Sequence, residues 1–335
     1  MDKLRIAVLH DSRPPAKASE PGAEPVIYVE DEVAEALAAL GHEPKRVAVN
    51  HNLKALIDTI QEFKPGLIFN LTESFMGDNT MEAHIVALLD MLRIPYTGSN
   101  PSSLIINNDK GIQKKLLAYH GIMTPEFAIF PVGRSAPVPD TLRFPLIVKP
   151  MKEDASIGIH ECSIVKNADA LVERVKFVHA NRGQPALVEE YIEGREFYVS
   201  IVGNEKPVAF PIVELDLSGL PDSKPKIASF RVKWNEAYRD KMGIRSVFPT
   251  DLKNEVRDKI NKVCLSAYKI LGVQNYGRID IRLSPENDVY VLEANPNPYI
   301  SDGEDFANAA EQAGMNYPAL IGRIVELALA KEMPR

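Results

Sequence analysis

Cysteine is scarce: Cys162 and Cys264 are the only two in 335 residues. They lie far apart without metal-ligand spacing, which argues against a disulfide scaffold and against a thiolate metal centre. Buried thiols in a reducing compartment fit better, and the cytoplasm is the expected location. Long apolar runs are missing too. No stretch approaches the ~18 residues that cross a bilayer, and Met1-Asp2-Lys3-Leu4-Arg5 leads straight into a strand pattern, so neither membrane anchor nor signal peptide is expected. Basic charge is not in excess, since 39 Lys and Arg stand against 46 Asp and Glu for a net charge of -7. Such a balance argues against nucleic acid as a dedicated partner, although local basic residues can still serve a nucleotide. No G-x-G-x-x-G follows the first strand, which argues against dinucleotide binding. Internal repeats and low-complexity tracts are absent as well.

What is present is an average globular composition, 45% hydrophobic and 25% charged, in a chain long enough for two or three domains. Strand patterns at Leu4 to Leu9, Pro44 to Val49 and Leu67 to Leu71 alternate with helical ones at Glu30 to Leu40, Leu53 to Phe63 and Met81 to Leu92. That order predicts a small parallel sheet with helices on both faces, a Rossmann-like lobe over residues 1–100. The loop from Asp11 to Pro25 carries four prolines and reads as a mobile or partner-facing insertion. A helix over Asp109 to His120, strands Phe127 to Phe130 and Leu146 to Lys149, a helix Ala168 to Ala180 and a strand Ala186 to Glu190 predict an α+β unit over 101–187. From 188 to 335 antiparallel strands dominate. Asp216 to Arg245 reads as a long polar loop, followed by helix Leu252 to Leu271, a hairpin, and a closing helix Tyr317 to Lys331 that covers the sheet.

The hairpin is the most informative segment. Gly277-Arg278-Ile279-Asp280-Ile281-Arg282 and Val289-Tyr290-Val291-Leu292-Glu293-Ala294-Asn295-Pro296 are two β-rich runs joined by Leu283 to Asp288. A turn centred between Glu286 and Asn287 sets Asp280 across from Glu293 and Arg278 across from Asn295, all on one face. Facing carboxylates at ~5 Å repel unless a cation sits between them. Two carboxylates and an amide are hard oxygen donors suited to Mg²⁺. A solvated acidic strand face is the plainer alternative.

Two further stretches carry possible chemistry. Lys149 ends a strand and feeds the polar loop Met151 to Gly158, where a lysine can hold nucleotide phosphates and loop N–H groups can close on the rest; a surface lysine before a turn is the commoner reading. In Val188-Glu189-Glu190-Tyr191-Ile192-Glu193-Gly194-Arg195-Glu196 an acidic strand end can receive an adenine amino group and Glu196 can reach ribose hydroxyls. Such turns are usually only solvated.

Taken together, Tyr96-Thr97-Gly98-Ser99, Asn108-Asp109-Lys110, Val148-Lys149-Pro150, Tyr276-Gly277-Arg278-Ile279-Asp280, Leu292-Glu293-Ala294-Asn295 and Gln312-Ala313-Gly314-Met315 resemble the blocks of the ATP-grasp superfamily, and within it of the D-alanine:D-alanine ligase family, in that family's order. The resemblance implies an α/β ATP-grasp fold in which a Rossmann-like N-terminal lobe joins two α+β lobes that clasp ATP. It implies that Lys110 and Lys149 contact the phosphates, that Glu153, Ser156 and Gly158 belong to the loop covering them, that Glu189, Glu190 and Ile192 line the adenine pocket, and that Glu196 takes the ribose. Asp280, Glu293 and Asn295 would bind two Mg²⁺, for which Mn²⁺ can substitute. Lys233 would approach the transferred phosphate and Arg278 the reacting carboxyl. The implied reaction activates a small carboxylate as an acyl phosphate, which an amine converts to an amide; a homodimer through the first lobe is the implied assembly.

Departures fall on the substrate side. The glutamate that would hold the first amine has no counterpart in His10-Asp11-Ser12-Arg13-Pro14-Pro15, leaving Glu24 or Glu30, and Asn70-Leu71-Thr72-Glu73 replaces a His-Gly segment, which makes Glu73 a candidate substrate residue. Ala155 stands where a serine helps lock the loop, and Trp234 follows Lys233 where tyrosine is common. Ungapped extension puts Tyr299 at a glycine position, and Glu304-Asp305 where a Ser-Leu pair receives the second substrate's carboxylate. Two acids are ill suited to that task, unless they merely begin a helix. Three readings follow: a ligase of altered substrate, a true D-alanine:D-alanine ligase, or an ATP-binding module without turnover.

Overall fold

The computed structural model describes residues 2–12, 27–134 and 139–331. The proline-bearing stretch 13–26, and with it Glu24, lies outside them. Strands β1 (Arg5–Asp11), β2 (Glu43–Val49) and β3 (Leu67–Leu71) form a parallel sheet in the order β2-β1-β3. Alternation within β1 shows why helices cover both faces. Ile6 and Val8 join a cluster with Val33 and Leu37 of α1 (Val29–Ala39), whereas Ala7 and Leu9 join one with Leu56 and Ile60 of α2 (Leu53–Phe63) and with Ile85 and Leu89 of α3 (Glu82–Leu92).

Helix α4 (Pro101–Asn107) leads to α5 (Lys110–Tyr119), whose first turn is capped by Asp109 accepting from the Ile112 N–H at 3.0 Å. Strands β4 (Phe127–Phe130), β5 (Leu146–Pro150), β6 (Ile164–Val165) and β7 (Ala186–Glu190) make an antiparallel sheet in the order β4-β7-β5-β6. Helix α6 (Ala168–Arg182) covers it through Leu171, Val175 and Val178, running two residues past the expected end to Gly183 at φ +63°.

The third sheet holds β8 (Arg195–Val202), β9 (Val208–Ala209), β10 (Val213–Asp216), β11 (Arg245–Val247), β12 (Tyr276–Leu283) and β13 (Val289–Asn295), ordered β11-β10-β8-β12-β13 with β9 beside β8. The stretch 216–245, expected to be loop, instead contains two short helices, α7 (Phe230–Trp234) and α8 (Glu236–Met242). Their polar sequences hide the helical signal, but Ser229 and Asn235 cap them and Val232 and Tyr238 supply a buried side. Helix α9 (Asn254–Ile270) packs Ile260, Cys264 and Tyr268 against Phe197, Val199, Ile279 and Ile281, so the opposite face of β8 and β12 carries Glu196, Arg278, Asp280 and Arg282 beside the apolar Val202 and Tyr276.

The closing helices are α10 (Asp305–Gln312) and α11 (Tyr317–Leu329). Rather than capping the last sheet alone, Leu320, Ile321 and Ile324 of α11 lie in one apolar cluster with α1, β1 and Tyr276. The parallel sheet and the last antiparallel sheet therefore share a core. No described helix is long and apolar enough to cross a membrane.

Candidate nucleotide and metal site

Cross-strand pairing sets the site. Asp280 lies opposite Glu293, and Arg278 opposite Asn295, as register counting predicts. The count is right at this end only. Near the turn Leu283 pairs with Val289 and Ile281 with Val291, so Leu292 is an extra, bulged residue and the turn centres half a residue earlier than assumed. β8 continues the row, with Tyr198 opposite Asp280 and Glu196 opposite Arg282.

The cation that facing carboxylates require is supplied by the protein twice over. Arg278 donates from Nε and a terminal nitrogen to the two oxygens of Asp280 at 2.7 and 2.9 Å, with its guanidinium 4.8 Å from the centre of the Tyr198 ring. The Lys110 ammonium lies 3.2 Å from Glu293 and 2.9 Å from Asp154, and donates to the Glu153 carbonyl at 2.7 Å. Burial works to raise the Glu293 carboxyl, but Lys110, Lys233 and Lys149 outweigh it and bring it down to about 2. Burial likewise opposes the charge on Lys110, and Asp154 with Glu293 more than restores it, so this amine sits above its ordinary value. Burial also carries the Asp280 carboxyl above its usual range, in spite of the two-point Arg278 contact that works to lower it.

One cleft collects these groups. Counted out into open solvent it spans about 680 Å³, and lysines and carboxylates meet across it. Lys110, Lys149, Glu153, Ser156, Glu189, Glu190, Ile192, Glu196, Lys233, Asp280 and Glu293 all border it, so most of the residues expected from sequence are brought together. Arg278 and Asn295 stand in the same strand row. Ile147, Ile227 and Leu292 give one end an apolar lining suited to a flat base.

Some expectations shift in detail. Both Glu189 oxygens lie 2.8 Å from ammonium nitrogens, of Lys114 and Lys149, and the Glu190 carboxylate accepts the Arg143 N–H at 2.8 Å. Glu189 is thus committed to two ammonium groups, and one oxygen of Glu190 to a backbone N–H. Burial opposes the Glu189 charge, and the two lysines overcome it and hold the carboxyl low. Lys114 and Arg282 were missed from sequence although each follows from spacing, four residues beyond Lys110 on α5 and two beyond Asp280 on β12.

The loop Met151 to Gly158 is closed over the cleft by the segment before α8. Ala155 and Ser156 take φ of 51° and 61°; the Ser156 hydroxyl donates to the Ala228 carbonyl at 2.6 Å and the Trp234 indole N–H to the Ala155 carbonyl at 2.8 Å. With no side-chain oxygen at Ala155 and an indole at Trp234, the contact is made to backbone. Gly158, at φ +77°, could not carry a Cβ, which would lie 2.7 Å from the Pro150 ring.

Among the described residues no three His, Cys, Asp or Glu side chains gather closely enough to hold a metal ion by themselves. A hard cation nonetheless suits the donors. Asp280 and Glu293 are cross-strand neighbours, and Asn295, whose amide oxygen is a third hard donor, lies two residues beyond Glu293 on the same strand.

The candidate substrate residues are more scattered. Glu304 is the N-cap and Asp305 the first residue of α10, the helix-start position weighed above. Asp305 also acts electrostatically on Arg278 and Tyr198, although it does not itself line the cleft. Glu304 keeps an exposed surface, yet the crowding round its carboxyl and the neighbouring Asp305 push that carboxyl up. Tyr299 is half exposed. Glu30 is buried with its carboxylate 3.4 Å from His10 Nδ1, and the Glu73 backbone N–H donates to Asp11 at 3.3 Å. Nearby, burial pushes the Glu82 carboxyl up to about 8 although Asn108 and Asn297 donate to it.

Comparison with known proteins agrees with this geometry. Residues 116–326 match the family described as D-ala D-ala ligase C-terminus. The chain is 32% identical over 90% of its length to the uncharacterized protein y4sG of Sinorhizobium fredii, covering 87% of that protein. It is 29% identical over 88% of its length to the D-alanine–D-alanine ligase of Desulforudis audaxviator, covering 91% of it. The crystal structure of the Bacillus anthracis D-alanine–D-alanine ligase complexed with ATP superimposes with a TM-score of 0.75, at 25% identity and 97% coverage of both chains. The ATP-grasp fold, the cleft and these matches together make the chain a member of the D-alanine–D-alanine ligase family.

Proposed function

We propose that the protein is an ATP-dependent carboxylate–amine ligase working through an acyl phosphate, with lobes over 1–100, 101–187 and 188–335 as its working parts. The observation that carries the reading is the convergence of Lys110, Lys149 and Lys233 with the facing pair Asp280 and Glu293 on one cleft. On this reading Lys110 and Lys149 exchange their carboxylate partners for the phosphates of ATP, and Lys233, brought in by α7, meets the γ-phosphoryl group. Asp280, Glu293 and Asn295 would hold Mg²⁺, which supplies charge neutralisation at the β- and γ-oxygens. The substrate carboxylate attacks the γ-phosphorus and ADP leaves; the amine then attacks the acyl phosphate carbonyl, phosphate leaves, and the amine loses a proton. Arg278 stabilises the oxyanion of that second step. Ser156 and Trp234 hold the phosphate loop shut, so that water does not take the acyl group.

The substrate end supports an acceptor other than D-alanine. Asp305 and Glu304 bring negative charge to the side of Arg278 away from the nucleotide, where an acceptor carboxylate would be repelled. The acceptor then lacks a carboxylate at that point, or carries a cationic or hydroxyl group. A D-alanine:D-alanine ligase is the second reading, favoured by the named ligases among the relatives. ADP release measured across a matrix of acids and amines, D-alanine included, separates the two. Release that depends on an acid and an amine supports a ligase; efficient D-alanyl-D-alanine synthesis selects the second reading, and no acid-dependent release with any pair would leave an ATP-binding module.

A further inference from the structure

Arg282 has no role in the site as built so far, yet it is 3% exposed and borders the cleft. It lies directly across the β8–β12 pair from Glu196, itself 6% exposed. One terminal nitrogen donates to Glu196 Oε2 at 3.5 Å, while the Tyr198 hydroxyl donates to Oε1 at 3.2 Å, so both carboxylate oxygens are held from the strand face. The other terminal nitrogen reaches the carbonyls of Gly194, at 3.5 Å, and of Lys226. Beneath it the Tyr191 ring centre lies 5.2 Å from the guanidinium carbon, and the Tyr191 hydroxyl donates to that same Lys226 carbonyl at 3.4 Å. Three separate pieces of chain thus meet on one side chain: the strand end at Tyr191 and Gly194, the carboxylate on β8, and the segment that runs through Ala228 to Lys233.

A buried guanidinium is costly unless its donors are matched, and Arg282 Nε is buried without a hydrogen-bond partner. The geometry points to Arg282 as the positioning residue of the ribose end of the nucleotide site: it orients the Glu196 carboxylate toward the ribose hydroxyls and ties that carboxylate to the segment delivering Lys233. This deepens the ligase reading and rests on Glu196 being the ribose carboxylate. A planar fork is needed for it, since an ammonium in its place cannot reach the carboxylate and the Lys226 carbonyl together.

The test is discrimination between sugars, which a merely structural role would not move. Calorimetric affinities for MgATP and for Mg-2′-deoxy-ATP would be compared in wild type, Arg282→Met, Arg282→Lys and Glu196→Gln. Wild type should prefer ATP by about tenfold or more, Arg282→Met and Glu196→Gln should narrow the preference to below about threefold, and Arg282→Lys should fall between. If Glu196→Gln narrows the ratio while both Arg282 variants keep it, the role of Arg282 is overturned and the ribose assignment stands. If wild type does not discriminate, or Glu196→Gln changes nothing, the ribose assignment fails and takes the inference with it. Should Arg282→Met lack a cooperative melt, Arg282→Lys decides: the wild-type ratio there would overturn the proposal, and a reduced one would uphold it.

Discussion

The two ends of the cleft are built on opposite principles. At the nucleotide end most charges are paired: Lys110 with Glu293 and Asp154, Lys149 and Lys114 with Glu189, Arg278 with Asp280, Arg282 with Glu196. All but Asp154, which belongs to the loop after β5, stand on strands and on α5, whose backbones cannot shift without breaking the core. At the proposed substrate end the acids Glu304, Asp305, Glu73 and Glu30 come from helix starts and connections, and burial with the neighbouring Asp305 outweighs the pull of Arg239 on the Glu304 carboxyl. Rigid paired charge suits a ligand that is the same in every turnover, whereas loops and helix ends can change their substrate without touching the sheet.

The largest test of that contrast is Glu293→Gln. Losing the carboxylate that faces Asp280 should lower ADP release about a hundredfold or more while circular dichroism and melting stay near wild type. Undiminished turnover would break the assignment of the metal end.

Glu82, between the two ends, should give a pH signature. Its carboxyl is raised by burial to about 8 from an ordinary 4.5. The folded protein therefore holds the proton more tightly than the unfolded chain. Stability from this group is complete below about 4.5 and declines as pH rises toward 8, by on the order of a few kcal/mol. Thermal melts of wild type and Glu82→Gln across pH 5 to 8 check it: wild type should lose stability relative to the variant as pH rises, and parallel curves would reject the shift.

Lys149→Ala should weaken ATP binding by ~1.5 to 3 kcal/mol, the scale of charge-assisted hydrogen bonds. Calorimetry reads it directly, and equal affinities would mean that the ammonium serves only Glu189. The smallest effect is expected from Glu304→Ser, because that residue keeps an exposed surface. Use of acceptors carrying a carboxylate should rise relative to cationic ones by about tenfold or less. A wild type that joins D-alanine efficiently, with no change in the variant, would erase the difference between the ends.

The nucleotide end was the more legible in sequence for a physical reason. A strand pair maps sequence onto faces with period two, so Asp280 opposite Glu293 could be counted from the turn, and a bulge at Leu292 offset the half-residue error in that count. The helices Phe230–Trp234 and Glu236–Met242 were not legible, because each is short and is held by caps and by packing against distant residues instead of by its own periodicity. The same holds for Glu189. Its strand position was readable, but its engagement depends on Lys114 of α5 and Lys149 of β5 both reaching it, which no local pattern states.

By itself, then, the sequence determined the parallel first sheet, the antiparallel hairpin and its opposed carboxylates, and membership in a ligase family, since these rest on local periodicity and on motif order along the chain. Only the tertiary structure decided which charges neutralise which, that α11 shares a core with α1 and the first sheet, that Trp234 closes on the Ala155 carbonyl, and that Arg282 meets Glu196 and Lys226. Those contacts join residues far apart in sequence, and their energies depend on burial and direction, quantities that exist only once the sheets have packed.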